Sequence, residues 1–361
     1  MMTPAAESAT FGSQSFQAID RRVCVAPMMD WTDRHCRYFL RGFSPRVLLY
    51  TEMITSAAIV RGDRSRLLEF DPEEHPVALQ LGGSDARELA AAARAGEQAG
   101  YDEINLNCGC PSDRVASGDF GACLMREPQK VAECIAAMRA AVRVPVTVKM
   151  RIGVVQGRGA QSVAAGARFD EADAQALHAF VEAVRAAGCE TVIIHARKAV
   201  LGGLSPKDNR EVPPLRYDIV RAVRAEFPGV RLVLNGGLRT CDAILDALSW
   251  CDGVMLGREA YHRPILLAEL HESVFSNGPH PQWSHSLLLE RMVRYCEREL
   301  AKGERLSSIT RHMLGLHSGE PGAREYRRVL SEGARVPGAD PTLLRRAAAV
   351  LAPAARAGAP P

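Results

Sequence analysis

Two cysteines one residue apart occupy the run Asn105-Leu106-Asn107-Cys108-Gly109-Cys110-Pro111-Ser112. A thiol carried on a Gly-Pro loop is held at a defined place outside regular structure. If it stays neutral, it can hand a proton to a developing carbanion as a general acid. That duty differs from nucleophilic catalysis, which needs the thiolate. Cys110 stands further out on the loop and is the better donor, whereas Cys108 reads as a small buried hydrophobe. Taken without context, either cysteine would more often be structural. The chain's ten cysteines are otherwise scattered. No C-x-x-C or matched histidine spacing supports zinc, so no metal is expected.

A second set of candidates stands at the ends of short apolar runs. These runs are Arg22–Pro27, Arg46–Thr51, Pro76–Leu81, Glu103–Asn107, Val144–Lys149, Thr191–His195, Val230–Leu234 and Gly253–Leu256. They stop at Pro27-Met28, Thr51-Glu52, Gln80, Asn105-x-Asn107, Lys149-x-Arg151, His195-x-Arg197, Asn235-Gly236-Gly237 and Gly257-Arg258. One such ending is ordinary turn chemistry, but eight in succession suggest a site. Gly236-Gly237 and Gly257-Arg258 follow the seventh and eighth runs. Glycines there let backbone N–H groups approach phosphate oxygens, and Arg258 adds charge-assisted bonds. A phosphate-bearing cofactor follows, and a flavin suits the remaining groups. Lys149 stabilises negative charge on a reduced ring, Gln80 hydrogen-bonds its edge, and Pro27 and Met28 supply apolar contact. The alternative for Lys149 is a rim ion pair with Glu52 or another carboxylate.

The elements that must position these residues follow from the spacing. The runs lie roughly 25–45 residues apart, which leaves room for a crossover helix between parallel strands. Alanine-rich amphipathic stretches fill most gaps, among them Asp85–Ala99, Pro128–Ala141, Asp170–Ala187 and Tyr217–Glu226. Eight units in about 245 residues predict an α/β fold of the closed (β/α)8 TIM-barrel type, with its site at the C-terminal rim. The alternative open Rossmann sheet lacks its Gly-rich turn, since Val25-Ala26-Pro27-Met28-Met29-Asp30 occupies that place. After about Pro264 the β signal stops. Leu287–Ala301, Leu306–Leu316, Ala323–Glu332 and Thr342–Leu351 read as helices of a small all-α domain. The expected organisation is a disordered extension at 1–19, a barrel at 20–265, a helical domain at 266–351 and a disordered tail at 352–361. The Gly/Ala/Gln-rich segment 154–168 reads as a flexible insert. A net charge of +3 announces no nucleic-acid partner by itself. No stretch near eighteen apolar residues and no leader pattern are present, so a cytosolic protein is expected, away from membranes.

These residues, taken in order, resemble the tRNA-dihydrouridine synthases, and closely the bacterial subfamily acting at D-loop nucleotides 20 and 20a. The matching segments are Val25 through Tyr38, His75 through Gly83, Tyr101 through Arg114 and Val146 through Gly153. They continue with Ile194 through Lys198, Gly203 through Lys207, Asp252 through Tyr261, Thr310 through Leu316 and Pro321 through Arg324. The resemblance implies FMN as prosthetic group, NADPH as hydride source and tRNA as substrate, with no obligate protein partner. Hydride would go to C6 of the uracil and a proton from Cys110 to C5. It places FMN contacts at Pro27, Met28, Met29, Gln80, Lys149, His195, Asn235, Gly236, Gly237, Gly257 and Arg258. It places tRNA contacts at Asn107, Lys207, Arg210, Arg324 and Arg327. Arg324, Arg327 and Arg328 are spaced i, i+3, i+4 and share one helix face, which suits phosphates. The sequence departs from the family at Cys108, where relatives usually carry another residue, and in the longer insert after Gly153. Two rivals stay open: a flavin barrel reducing a free pyrimidine or small enone, and a non-enzymatic tRNA-binding protein.

Overall fold

The computed structural model describes residues 19–112, 120–157, 159–275 and 283–351. All but the last residue of the expected N-terminal extension, and the whole tail at 352–361, lie outside the described residues. So do Arg114 and position 158 of the insert.

Eight parallel strands close into the expected barrel. They are β1 Val23–Val25, β2 Leu48–Thr55, β3 Val77–Gly82, β4 Glu103–Cys108, β5 Val146–Arg151, β7 Thr191–His195, β9 Arg231–Asn235 and β10 Gly253–Leu256, in the order β1-β10-β9-β7-β5-β4-β3-β2. Side chains alternate across each strand, so parity sorts them. Val23, Val25, Leu79, Leu81, Ile104, Leu106, Cys108, Val148, Met150, Val192, Ile194 and Leu234 face the surrounding helices in one continuous apolar cluster. Each such aliphatic side chain contributes roughly 1.5–3 kcal/mol by leaving water. The opposite parity fills the barrel interior with Cys24, Leu48, Tyr50, Ala78, Ile193, Val233 and Met255. Two residues on from these interior positions come Gln80, His195, Asn235 and Gly257. The same pleat therefore directs them into the barrel mouth.

The helices begin and end where local chemistry dictates. Asp85 caps the helix Ala86–Ala99 by accepting from the Glu88 N–H, and Gly100 ends it at φ +102. The helix Pro128–Ala141 starts on its proline. Asp170 and Asp173 form a reciprocal capping box at the start of Glu171–Ala186.

The structure corrects the reading of the 154–168 segment as a flexible insert. Val154–Gln156 forms a strand, β6, paired in parallel with β8, Ala199–Leu201, and a helix follows at Ala160–Ala167. These short strands lie just past β5 and β7 and extend that wall of the rim. The Lys198 ammonium secures it by binding both Asp173 carboxylate oxygens at 2.7 Å. Strand β5 also runs beyond Lys149 to Arg151, and β2 beyond Thr51 to Thr55 through a register shift at Tyr50/Met53.

After the barrel come helices Leu266–Phe275, His285–Ala301, Leu306–Thr310, Ala323–Gly333 and Thr342–Ala349. The helix expected over Leu306–Leu316 breaks into an α turn and a 3-10 turn at Arg311–Met313. This region docks on the first βα unit. Tyr295 stacks on Tyr38 at 3.9 Å and shares a 2.7 Å hydrogen bond with His35 Nδ1, and Arg311 reaches Asp33 at 2.6 Å. Among the described residues no helix is long and apolar enough to cross a membrane.

Candidate active site

A cavity of about 610 Å³ opens at the C-terminal rim of the barrel. All eleven residues expected to touch FMN line it: Pro27, Met28 and Met29 after β1, Gln80 on β3, Lys149 on β5 and His195 on β7, with Asn235, Gly236, Gly237, Gly257 and Arg258 on the far side. Cys110 lines it as well, and so do Asn107 and Arg210. The charge is one-sided. Lys149, Arg151, Arg197, Arg210, Arg239 and Arg258 face the space, and among the described residues a single carboxylate, Glu259, lines it.

That imbalance shows in the titration of the wall. Burial, with Arg151 and Arg210 nearby, pulls the Lys149 ammonium down to about 7 from its usual 10.5. Among the described residues no carboxylate pairs with it: Glu52, the alternative partner, instead accepts the Asp30 N–H at 2.5 Å. Arg151 is lowered to about 10 by burial and by Arg210 and Arg197. His195 is held neutral, its pKa well below normal, by burial and then by Arg151 and Lys149. Its Nδ1 is buried with no hydrogen-bond partner among the described residues. A buried polar atom left unpaired costs free energy that an arriving ligand can recover.

The glycines fit the same picture. Gly236 and Gly237 adopt φ of +110 and +77, where a side chain is strained. A Cβ on Gly237 would also lie 2.3 Å from Leu215. At Gly257 a Cβ would meet nothing nearer than Met28 Sδ at 4.0 Å, so the space above it is open to the cavity. Arg258 is steadied by Glu211 at 2.5 Å, and Asn235 Nδ2 donates to the Met255 carbonyl at 2.7 Å.

The cysteine loop is anchored from below. Asn107 Oδ1 accepts the Gly109 N–H at 3.1 Å and the Cys110 N–H at 2.9 Å. Arg151 Nε donates to the Gly109 carbonyl at 3.2 Å. Cys110 is half-buried at the cavity, whereas Cys108 is fully buried toward the helices, and burial pushes its thiol well above the usual range.

The expected tRNA contacts separate into three groups, of which the first is Asn107, buried on β4 at the cavity. Lys207 and Arg210 are exposed on the loop after β8, which the buried Asn209 ties down by bonding both the Val200 N–H and C=O at 2.7 and 2.9 Å. Arg324 and Arg327 are exposed on the helix Ala323–Gly333 and do not line the cavity. Arg328 differs from its two neighbours. It pairs with Glu325 at 2.5 Å and Glu332 at 3.0 Å, so its charge is already committed.

Sequence reasoning did not assign roles to Arg151, Arg197, Arg239, Trp31 or His262, all of which line the cavity. Arg151 was findable, since it shares the parity of Lys149. Trp31 stacks on Tyr261 at 4.5 Å across loops far apart in sequence, and no local pattern announces that contact.

Comparison with known proteins agrees with this geometry. A sequence model of the dihydrouridine synthase family matches residues 24–351. A tRNA-dihydrouridine(20/20a) synthase of Xanthomonas axonopodis pv. citri is 53% identical over 331 residues, 91% of this chain and 94% of that protein. Proteins of the same name from Pseudomonas syringae pv. tomato and Vibrio cholerae are 52% and 50% identical. They cover 87% and 91% of this chain, and 89% and 96% of their own lengths.

Proposed function

The chain belongs to the dihydrouridine synthase family, and from that premise we propose that it is a tRNA-dihydrouridine(20/20a) synthase, FMN-dependent and NADPH-driven. The observation that carries the cofactor assignment is the cation-rich seat, where six cations, only Arg258 of them tied to a carboxylate (Glu211), and an unpaired His195 Nδ1 face one lining carboxylate among the described residues. A flavin with a single phosphate fits that donor set. Gly236, Gly237, Gly257 and Arg258 would hold the phosphate, and Lys149, Gln80 and His195 the ring. When bound, FMN supplies to uracil C6 the hydride that it receives from NADPH.

The chain's own residues do the rest. Hydride at C6 leaves the electron pair of the former double bond on C5, conjugated with the C4 carbonyl. Cys110 holds a proton on Sγ for that carbon and releases it there, and solvent restores the thiol. Asn107 fixes the loop backbone so that the thiol stays at the cavity. The Lys149 ammonium gains its full charge once an anion sits beside it, and it then steadies negative charge on the ring. Lys207 and Arg210 grip tRNA phosphates at the rim, while Arg324 and Arg327 grip a second point. A single extruded uracil enters the cavity. Residues 20–265 form the catalytic unit on this reading, 266–351 the tRNA-holding unit, and the enzyme works in the cytoplasm.

The purified protein should be yellow and release FMN on denaturation. tRNA from a strain lacking the gene should lose dihydrouridine at positions 20 and 20a. Release of FAD, or tRNA unchanged at both positions, would refute the proposal.

A further inference from the structure

A file of buried polar side chains crosses the barrel interior from its floor to the cysteine loop. Arg21 Nε donates to Glu103 Oε2 at 2.8 Å at the floor. Thr147 Oγ1 donates to Glu103 Oε1 at 2.6 Å, and Asn105 Nδ2 donates to Thr147 Oγ1 at 2.9 Å. Gln80 Nε2 donates to Asn105 Oδ1 at 2.7 Å, and Asn107 Nδ2 donates to Gln80 Oε1 at 2.8 Å. Asn107 Oδ1 then accepts the backbone N–H groups of Gly109 and Cys110.

Chemistry at the two ends dictates one direction for the whole file. Backbone N–H groups can only donate, so the Asn107 oxygen must face the loop. A carboxylate paired with an arginine can only accept, so the Thr147 hydroxyl must point down at Glu103. Each carboxamide between has its oxygen and nitrogen assigned by its neighbours, and reversing any one would set donor against donor. Gln80 and Asn107 line the cavity, and among the described residues each keeps one unshared N–H on its nitrogen.

We propose that Glu103 and Thr147, which do not line the cavity, are positioning residues. Through Asn105 they set which ends of Gln80 and Asn107 meet cofactor and uracil, and they hold Cys110 in place. The inference rests on the proposed reaction at this rim, but its first readout does not need the cofactor.

Thr147→Val keeps the shape and removes both hydrogen bonds, Thr147→Ser restores them, and Asn105→Leu breaks the next link should the valine variant fail to fold. Tyr50→Phe is the control, because Tyr50 donates to the same Glu103 oxygen at 2.5 Å yet lies off the file. In FMN-free protein the rate at which iodoacetamide alkylates Cys110, read by peptide mapping, should change in Thr147→Val and Asn105→Leu. It should return in Thr147→Ser and stay at the wild-type value in Tyr50→Phe. With FMN bound, the valine variant should show a shifted flavin absorption maximum. Its tRNA-driven reoxidation should slow on the order of 10-fold or more, within the roughly 10²-fold that an ångström of misplacement costs. Wild-type alkylation and reoxidation in Thr147→Val, or a serine variant no better than valine, would overturn the proposal. A change in Cys110 alkylation in protein that never takes up FMN would support the positioning role while refuting the cofactor assignment.

Discussion

The two ends of the barrel handle charge in opposite ways. At the floor, Arg21 meets Glu103 at 2.6 Å, with Tyr50 and Thr147 filling the carboxylate's remaining positions. At the rim, among the described residues, six cations share a cavity with one lining carboxylate, and a buried histidine nitrogen goes unpaired. At both ends a buried nitrogen, Arg21 Nη2 or His195 Nδ1, lacks a hydrogen-bond partner among the described residues. Yet the floor balances its charge with an ion pair, and the rim carries an excess of cations. Buried charge is tolerated when paired, and an enclosed excess of one sign persists where a ligand supplies the other. On the proposed reading the floor holds the fold and anchors the polar file, and the rim seats an anion.

Removing the rim's reactive group should have the largest effect. Cys110→Ala should bind FMN and be reduced by NADPH as the wild type is, while reoxidation by tRNA slows by roughly 10²–10⁴-fold, the usual cost of losing a general acid. Cys108→Ala, two residues away but facing the helices, should leave both half-reactions nearly intact. Stopped-flow absorbance on each half separates the two.

Breaking the floor should cost stability first, and it should slow chemistry only through the polar file that Glu103 anchors. Arg21→Met leaves Glu103 buried and unpaired, and urea unfolding should show a loss of about 3–5 kcal/mol. The matching rim substitution should run the other way in FMN-free protein. The folded Lys149 titrates near 7 and the unfolded one near 10.5. Its burial therefore destabilises fully below pH 7, and the penalty fades as pH rises from 7 to 10.5. Over that window the unfolded chain binds more protons, so stability should climb by up to about 1.4 kcal/mol per pH unit on this account. Lys149→Met should stabilise FMN-free protein at pH 6 and flatten that climb, as thermal melts across pH would reveal.

The smallest effect sharpens the comparison at the outer surface. Alanine at Lys207, Arg210, Arg324 and Arg327 together should weaken tRNA binding. It should also lower its salt dependence by up to about 0.7–0.9 log-log units per lost phosphate contact, with NADPH-driven flavin reduction unchanged. Dihydrouridine mapped on the product should spread from its usual position, because phosphates fix the tRNA's orientation and the uracil edge does not. Wild-type affinity, salt slope and position would remove the clamp.

What was legible in the sequence is what depends on local pattern. Nearly every barrel strand is an apolar run followed by a polar or glycine ending, so the apolar runs and the pleat's parity placed Gln80, Lys149, His195 and Asn235 at one mouth. The β6–β8 pair escaped because three-residue strands carry no period, and each is paired only with the other, 45 positions away in register. The polar file through Thr147 and Glu103 escaped for a related reason. Glu103, Asn105 and Asn107 alternate along β4, but Thr147 and Gln80, which join them, stand on other strands tens of positions distant. The commitment of Arg328 was within reach, since Glu325 and Glu332 lie at helical spacing from it.

The central claim is that this rim reduces a uracil in tRNA and not a free pyrimidine. The most direct test mixes anaerobic, NADPH-reduced protein with tRNA lacking dihydrouridine, and separately with free uridine. The account predicts rapid flavin reoxidation by tRNA alone, with one dihydrouridine formed at position 20 or 20a per flavin reoxidised. Flavin that stays reduced in the presence of tRNA, or reoxidises equally well with uridine, would contradict it.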